Sequence, residues 1–243
     1  VTNAENVYAI SPGIDEPAPN AISATPVAAA TAAGHAKTRA SPRNEARRQA
    51  TSGAPGRSRG HPYSLSAAPA GDTLRITVKD LGDGSRALAG VRPGTRVAIE
   101  GPFGRLHAGV RTRRRVTLLA GGIGVTPLLS MAQRLAALEA DFALHCCSRS
   151  AARAPYRRRL EDSAFAHKVF FHHDDGPPAQ HLDLAATLGR PAPGRHVYVC
   201  GPSGFLEAVR TTARALHWTD AQVHFESFSG AAPPADGQGS FEV

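Results

Sequence analysis

Two glycine-bearing turns, each running off the end of a short apolar strand, constrain this chain more than any other feature. The first is Leu118-Leu119-Ala120-Gly121-Gly122-Ile123-Gly124-Val125-Thr126-Pro127; the second is Val197-Tyr198-Val199-Cys200-Gly201-Pro202-Ser203-Gly204-Phe205. A strand that delivers glycines straight into a helix start brings bare backbone N–H groups and the positive end of a helix dipole to one edge of a sheet. Thr126 and Pro127 suit the N-cap and first helical position. Around these turns, apolar strands expected at 116–120, 142–147, 169–172, 196–200 and 223–225 alternate with helices expected at 127–138, 156–162, 182–188 and 205–216. Such alternation predicts an α/β fold with a parallel sheet covered by helices on both faces. Ligands of open parallel sheets collect at the carboxyl ends of the strands. A tight strand–helix turn without a ligand has the same composition, so neither turn assigns a function by itself.

Upstream the texture changes. Leu74-Arg75-Ile76-Thr77-Val78 alternates as a half-buried strand does. Gly82-Asp83-Gly84 signals a turn, Ser85 suits the cap of a short helical turn through Leu88, and 96–100 reads as a further strand closed by Gly101-Pro102-Phe103-Gly104. Short strands punctuated by Gly and Pro predict part of a small barrel. Ahead of them stands His61-Pro62-Tyr63-Ser64-Leu65-Ser66, where a ring beside a hydroxyl offers a flat ligand a stacking face and a hydrogen bond. An ordinary edge strand would read the same way. Residues 1–60 are dominated by Ala, Pro, Ser, Thr, Gly and Arg without sustained periodicity, and disorder or low complexity is the expectation there.

Composition narrows the function classes. No run approaches the ~20 consecutive apolar residues of a membrane helix, and the opening residues do not have the basic start and apolar block expected of a signal peptide. Three cysteines, Cys146, Cys147 and Cys200, make a poor disulfide framework, so a cytoplasmic, reducing setting is expected. No Cys-x-x-Cys is present to hold zinc or an iron–sulfur cluster. The net charge of +8 comes mainly from arginine, which clusters at Arg111, Arg113, Arg114 and Arg115 and at Arg157, Arg158 and Arg159. These lack interleaved aromatics, and a solvated surface is expected rather than a nucleic-acid interface. His172-His173-Asp174-Asp175 is contiguous, as a polar loop at a strand end is, rather than spaced as metal ligands are.

Taken in order, the Tyr-Ser motif, the glycine turn and the Cys-Gly-Pro turn carry a resemblance. Residues 61–229 resemble the ferredoxin–NADP reductase superfamily. The segments 61–69 and 79–85 look most like its ferric-reductase-like branch. His172-His173-Asp174-Asp175-Gly176 and His224-Phe225-Glu226-Ser227-Phe228 look more like phthalate-dioxygenase-type oxygenase reductases. The resemblance implies a partial antiparallel flavin-binding β-barrel over 61–110 and an NAD(P)H-binding α/β domain over 111–229. Residues 230–243 are then a linker toward a ferredoxin-like C-terminal domain, whose [2Fe-2S] cysteines this chain does not contain. The resemblance implies roughly three more strands before the Tyr-Ser motif in a complete barrel, and residues 1–60 show no sign of them; with the opening Val1, a chain incomplete at both ends is expected.

The implied activity is electron transfer from NADH or NADPH through FAD or FMN to an acceptor protein such as an oxygenase or ferredoxin domain. A nucleotide-binding module without turnover is the alternative, because half the barrel looks absent. By the same resemblance, Ser64, Cys200 and Glu226 stand at the reacting rings. Tyr63 stacks on the flavin, Leu65, Thr77, Val78 and Lys79 line it, and Gly84 and Ser85 meet its phosphate. His61 replaces the usual phosphate-binding arginine. Gly122, Gly124 and Thr126 cradle the nicotinamide diphosphate, Gly201 and Pro202 lie beside its ring, and Phe228 closes the site. Ser148 and Arg149, ending the second strand without an acid, suit the 2′-phosphate of NADPH.

Overall fold

The computed structural model describes residues 6–11, 21–26, 35–40, 61–68, 74–79, 97–103 and 115–228. The carboxyl-terminal half is a five-stranded sheet in the order β11-β10-β7-β8-β9. Its strands are β7 (Arg115–Gly121), β8 (Phe142–Ser148), β9 (Val169–His173), β10 (Arg195–Cys200) and β11 (Val223–Glu226). All four pairings are parallel. Parallel strands need crossovers, and these carry helices α1 (Val125–Ala137), α2 (Arg157–Glu161), α3 (Leu184–Leu188) and α4 (Ser203–Ala215).

Central β7 shows why the run is continuously apolar. Val116, Leu118 and Ala120 face one core with Leu128, Leu129, Met131, Leu144 and Leu160, while Leu119 faces the other with Val197, Val199, Leu206 and Val209. A strand buried on both faces cannot alternate with polar residues. The strand order reverses at β7, because β8 and β9 lie to one side and β10 and β11 to the other. The gap between the ends of β7 and β10 is therefore the topological switch point, where ligands of such sheets bind.

The helix start differs from the sequence expectation. Gly122–Gly124 forms one 3-10 turn that runs straight into α1, and Gly124 takes the N-cap position. Thr126 lies inside the first turn, and its hydroxyl donates to the Ile123 carbonyl at 3.0 Å. Pro127 still falls within the first turn, where its missing N–H costs nothing.

The amino-terminal sheet holds β1 (Asn6–Ser11), β2 (Ala21–Pro26), β3 (His35–Ala40), β4 (His61–Ser64), β5 (Leu74–Val78) and β6 (Val97–Phe103). Its order is β4-β3-β6-β2-β1-β5, and an antiparallel bridge from Leu65 to Ile76 joins the two terminal strands into a ring. Three of these strands fall inside residues 1–60, where the sequence predicted none. Their partners are remote: β1 pairs with β5, and β2 and β3 pair with β6. Non-local pairing of this kind overrides weak local propensity. The β1–β2 and β2–β6 pairings are parallel rather than antiparallel as the resemblance implied. Sparse apolar alternation specifies direction and register only loosely. The expected turn at Gly84 and Ser85 lies outside the described residues.

Both long helices end on a non-glycine residue in the left-handed region, Glu139 at φ 53° and His217 at φ 63°. After α1, Ala140 N–H donates to Leu135 O at 2.9 Å and Glu139 N–H to Ala136 O at 3.0 Å, the paired bonds of a Schellman ending. Glycine adopts this backbone without a Cβ penalty, and Glu139 is exposed. Glu139→Gly should therefore stabilise the protein by about 0.5–1 kcal/mol. An unchanged or lower urea midpoint would contradict this.

Candidate functional site at the carboxyl edge of the parallel sheet

The two glycine turns meet at the switch point because β7 and β10 are paired in register, Ala120 opposite Cys200. Their contact is backbone against backbone. A Cβ on Gly124 would stand 2.1 Å from the Cys200 carbonyl oxygen and 2.8 Å from the Gly201 nitrogen. One on Gly121 would meet Pro202 Cδ at 2.9 Å, and one on Gly201 would meet Phe205 Cδ1 at 2.9 Å. These three glycines interlock the turns. Gly122 is different: its φ is +54° and nothing lies within 4 Å of where its Cβ would be. The backbone is thus bare and open at Gly122, directly before α1. That helix has neither a side-chain cap nor an acidic residue in its first turn. Open backbone, uncapped N–H groups and a positive helix end fit a diphosphate. Gly124 shapes the turn from its packed side, and Thr126, buried with its hydroxyl turned to Ile123, leaves its backbone N–H in the first turn.

Cys200 ends β10 fully buried, with Glu226 opposite it across the β10–β11 pair. Burial and then the Glu226 carboxylate push the thiol's pKa up, so it stays protonated at neutral pH. It is a small, neutral, polarisable wall rather than a nucleophile. Phe228, two residues beyond β11, is 42% exposed, an aromatic face left toward solvent.

At the end of β8, Ser148 Oγ donates to the Ser150 carbonyl at 2.9 Å and lies 2.9 Å from His173 Nδ1. Arg149 is exposed. Two acids come alongside them from the next strand. Asp174 N–H donates to Ser148 O at 3.1 Å, and Asp175 N–H to Arg149 O at 3.0 Å. An acid scan restricted to the second strand misses them. The β8–β9 register, with Cys147 opposite His172 and Ser148 opposite His173, is what delivers them. A cleft of about 250 Å³ opens there, lined by Cys147, His172, Asp174, His181, Leu182, Leu184 and Phe205. Burial and then the charge of Asp174 push the Cys147 thiol up to about 12. Phe205 belongs to the second glycine turn, so the cleft is continuous with the switch point.

On the flavin-type side, Ser64, Leu65, Thr77 and Val78 are buried, Tyr63 is half-buried and Lys79 is exposed. His61 opens β4. The Thr77 hydroxyl donates to Ser66 Oγ at 2.9 Å and is hydrogen-bonded to the Tyr156 hydroxyl, so its one proton is already used within the protein. No group of His, Cys, Asp and Glu that would hold a metal ion occurs among the described residues. No described helix is long and apolar enough to cross a membrane.

Beside the cleft, His145 Nδ1 lies 3.0 Å from His172 Nε2, so the pair shares one proton when neutral. Burial, then the neighbouring His172, lowers the His145 pKa to about 4; burial lowers His172 as well. Groups with depressed folded pKa values favour folding above their unfolded value, about 6.5, and that contribution is lost as pH falls toward 4. Urea midpoints should therefore drop between pH 7 and 4.5. They should drop less in His145→Phe, which keeps a ring stacked on Phe170. Equal losses in both proteins would refute the assignment.

Residues 118–211 match the oxidoreductase NAD-binding domain family. The chain is 47% identical over 163 residues to vanillate O-demethylase oxidoreductase of Pseudomonas sp. (strain HR199 / DSM 7063), covering 66% of this chain and 50% of that protein. It is 37% identical over 120 residues to the phthalate 4,5-dioxygenase oxygenase reductase subunit of Pseudomonas putida, covering 49% and 36%. The solved phthalate dioxygenase reductase superposes with a TM-score of 0.67 at 28% identity, covering 84% of this chain and 60% of that one. The flavohaem-like FAD/NAD-binding domain of Vibrio cholerae nitric oxide dioxygenase shares the fold at a TM-score of 0.65 and 23% identity, covering 82% and 89%. The chain spans about half the length of the first of these relatives. Residues 118–211 thus match an oxidoreductase NAD-binding domain, and the described fold is similar to that of phthalate dioxygenase reductase and other ferredoxin–NADP reductase-like proteins.

Proposed function

We propose that this chain accepts reducing equivalents from NADH or NADPH and passes them through FAD or FMN to an electron-acceptor protein, as the reductase part of an oxygenase system. The observation that carries this reading is the interlocked pair of glycine turns at the switch point. It leaves an open backbone and a helix N-terminus where a diphosphate fits. The relatives support the acceptor class: one is a phthalate 4,5-dioxygenase oxygenase reductase subunit, and phthalate dioxygenase reductase is a structure for electron transfer from pyridine nucleotides to [2Fe-2S].

The flavin, when bound, supplies the conversion of a two-electron hydride into single-electron steps. The chain's own residues bind, orient and exclude water. Gly122 and the first N–H groups of α1 hold the diphosphate. Cys200, Gly201 and Pro202 form the neutral wall beside the nicotinamide, with Glu226 and Phe228 at its far side. Tyr63 offers its ring to the flavin, and Ser64 offers a hydroxyl near the reacting nitrogen. No acid–base pair is required, in keeping with a protonated Cys200.

Cofactor choice rests on opposed charges at one strand end. The Arg149 guanidinium favours a 2′-phosphate, whereas Asp174 accepts ribose hydroxyls and repels that phosphate. Their coexistence beside Ser148 supports use of both nicotinamides with modest discrimination. Arg149→Ala should weaken NADPH by about 1–3 kcal/mol and leave NADH nearly unchanged, while Asp174→Ala should shift preference the other way. Titration of each variant with both nucleotides checks this, and parallel losses for both would defeat it. Uptake of flavin, visible as yellow colour that bleaches with NADH, tests the redox reading. A protein that binds NADH yet takes up no flavin is instead a nucleotide-binding module without turnover.

A further inference from the structure

Tyr156 occupies a position that its residue type does not favour. It is the N-cap of α2 at φ 59° and ψ 14°. Small polar residues and glycine are the usual caps, and a bulky side chain in the left-handed region is an outlier. Such a residue persists where its surroundings over-determine it. Here the ring packs against the core formed by α1, β7 and β8, and the Arg159 guanidinium lies 5.7 Å from its centroid. Its backbone carbonyl accepts the Leu160 N–H at 2.9 Å.

The hydroxyl leaves that core altogether. It hydrogen-bonds Thr77 on β5, whose own partner is Ser66, just past the Tyr63-Ser64 motif. Ser66 is tied back to β5 through Arg75, its N–H donating to the carbonyl at 2.7 Å and its hydroxyl at 3.3 Å. A second bond crosses nearby, from the Ala68 N–H to Gln133 Oε1 on α1 at 2.8 Å. The two crossings therefore fall at Ala68 and Thr77, within the described segments 61–68 and 74–79 that face the flavin in the function proposed above. Burial first, and then the neighbouring Arg75 guanidinium, lower the Arg159 pKa there. Ser66 and Thr77 are both buried, so the junction is partly desolvated.

We infer that Tyr156 is a positioning residue: through Thr77 and Ser66 it fixes the flavin-side strands against the nicotinamide half, and so sets the approach of the two rings. The role rests on the redox reading; the contact itself does not. Hydride transfer is steep in distance, and misplacement by about 1 Å costs on the order of a hundredfold. A left-handed backbone that holds the ring in one core and the hydroxyl against Thr77 is consistent with such a requirement.

Tyr156→Phe removes the hydroxyl and keeps the ring and its Arg159 contact. In the full chain without added flavin, hydrogen exchange at amides 61–79 should accelerate about five- to tenfold, the scale of one lost hydrogen bond, with 115–150 unchanged. Thr77→Val should do the same, and the double variant should add nothing further. With flavin loaded, the single-turnover rate of flavin reduction by NADH should fall by about ten- to a hundredfold, while NADH affinity stays within about twofold of the parent. Unchanged exchange at 61–79, additive effects of the two variants, or acceleration spread equally over 115–228 would overturn the contact as a latch. An unchanged reduction rate would overturn the positioning role. Failure of the parent to take up flavin would sink the redox reading and the positioning role with it, while the exchange data would still decide the contact.

Discussion

The peptide linking Cys200 to Gly201 lies so close to Gly124 that a single methyl group between them would overlap a carbonyl oxygen. Much of the carboxyl-terminal half follows from that contact. It demands glycine on α1's side, and it demands that β7 and β10 be neighbours ending level with one another. It places the uncapped start of α1 beside the turn that opens α4. Close backbone approach and an uncapped helix start occupy one spot, so the packing constraint and the proposed anion site coincide. Gly122 marks the division of labour: its neighbours are spent on packing, and its own space is left open.

From that junction the site extends in two directions. Toward β8 and β9 it continues into the cleft lined by Asp174 and His172, next to the strand end that carries Ser148 and Arg149. Toward β11 it reaches Glu226 and the exposed Phe228. The thiols of buried Cys146 and Cys200 and of half-buried Cys147 all have pKa values raised first by desolvation. Within this site they serve as uncharged packing atoms, which agrees with chemistry supplied by cofactors rather than by a protein nucleophile.

The parallel sheet was legible in the sequence because its strands are buried on both faces, and runs such as Val116 to Ala120 have few other uses. Helix starts were harder. A glycine-rich 3-10 turn merges into α1 with no cap residue to mark it, so Thr126 looked like a beginning when it is already inside. Asp174 was missed for a different reason: its place beside Ser148 is created by β8–β9 register, and register is a tertiary fact. Strands β1 to β3 drew their pairing from β5 and β6 rather than from their own residues, whose composition offers no alternation to read. The left-handed backbone at Tyr156 has no sequence signal at all, since nothing in the residue type favours it.

The central claim is that the interlocked glycine turns hold the diphosphate of a nicotinamide nucleotide. Backbone amide chemical shifts of the full chain, followed during titration with NADH, test it most directly. The account predicts the largest changes at Gly122, Val125, Thr126 and Gly201, with smaller ones at Ser148 and Asp174. Saturating NADH that leaves the amides of Gly122, Val125 and Thr126 unmoved, with changes clustered elsewhere, would contradict it.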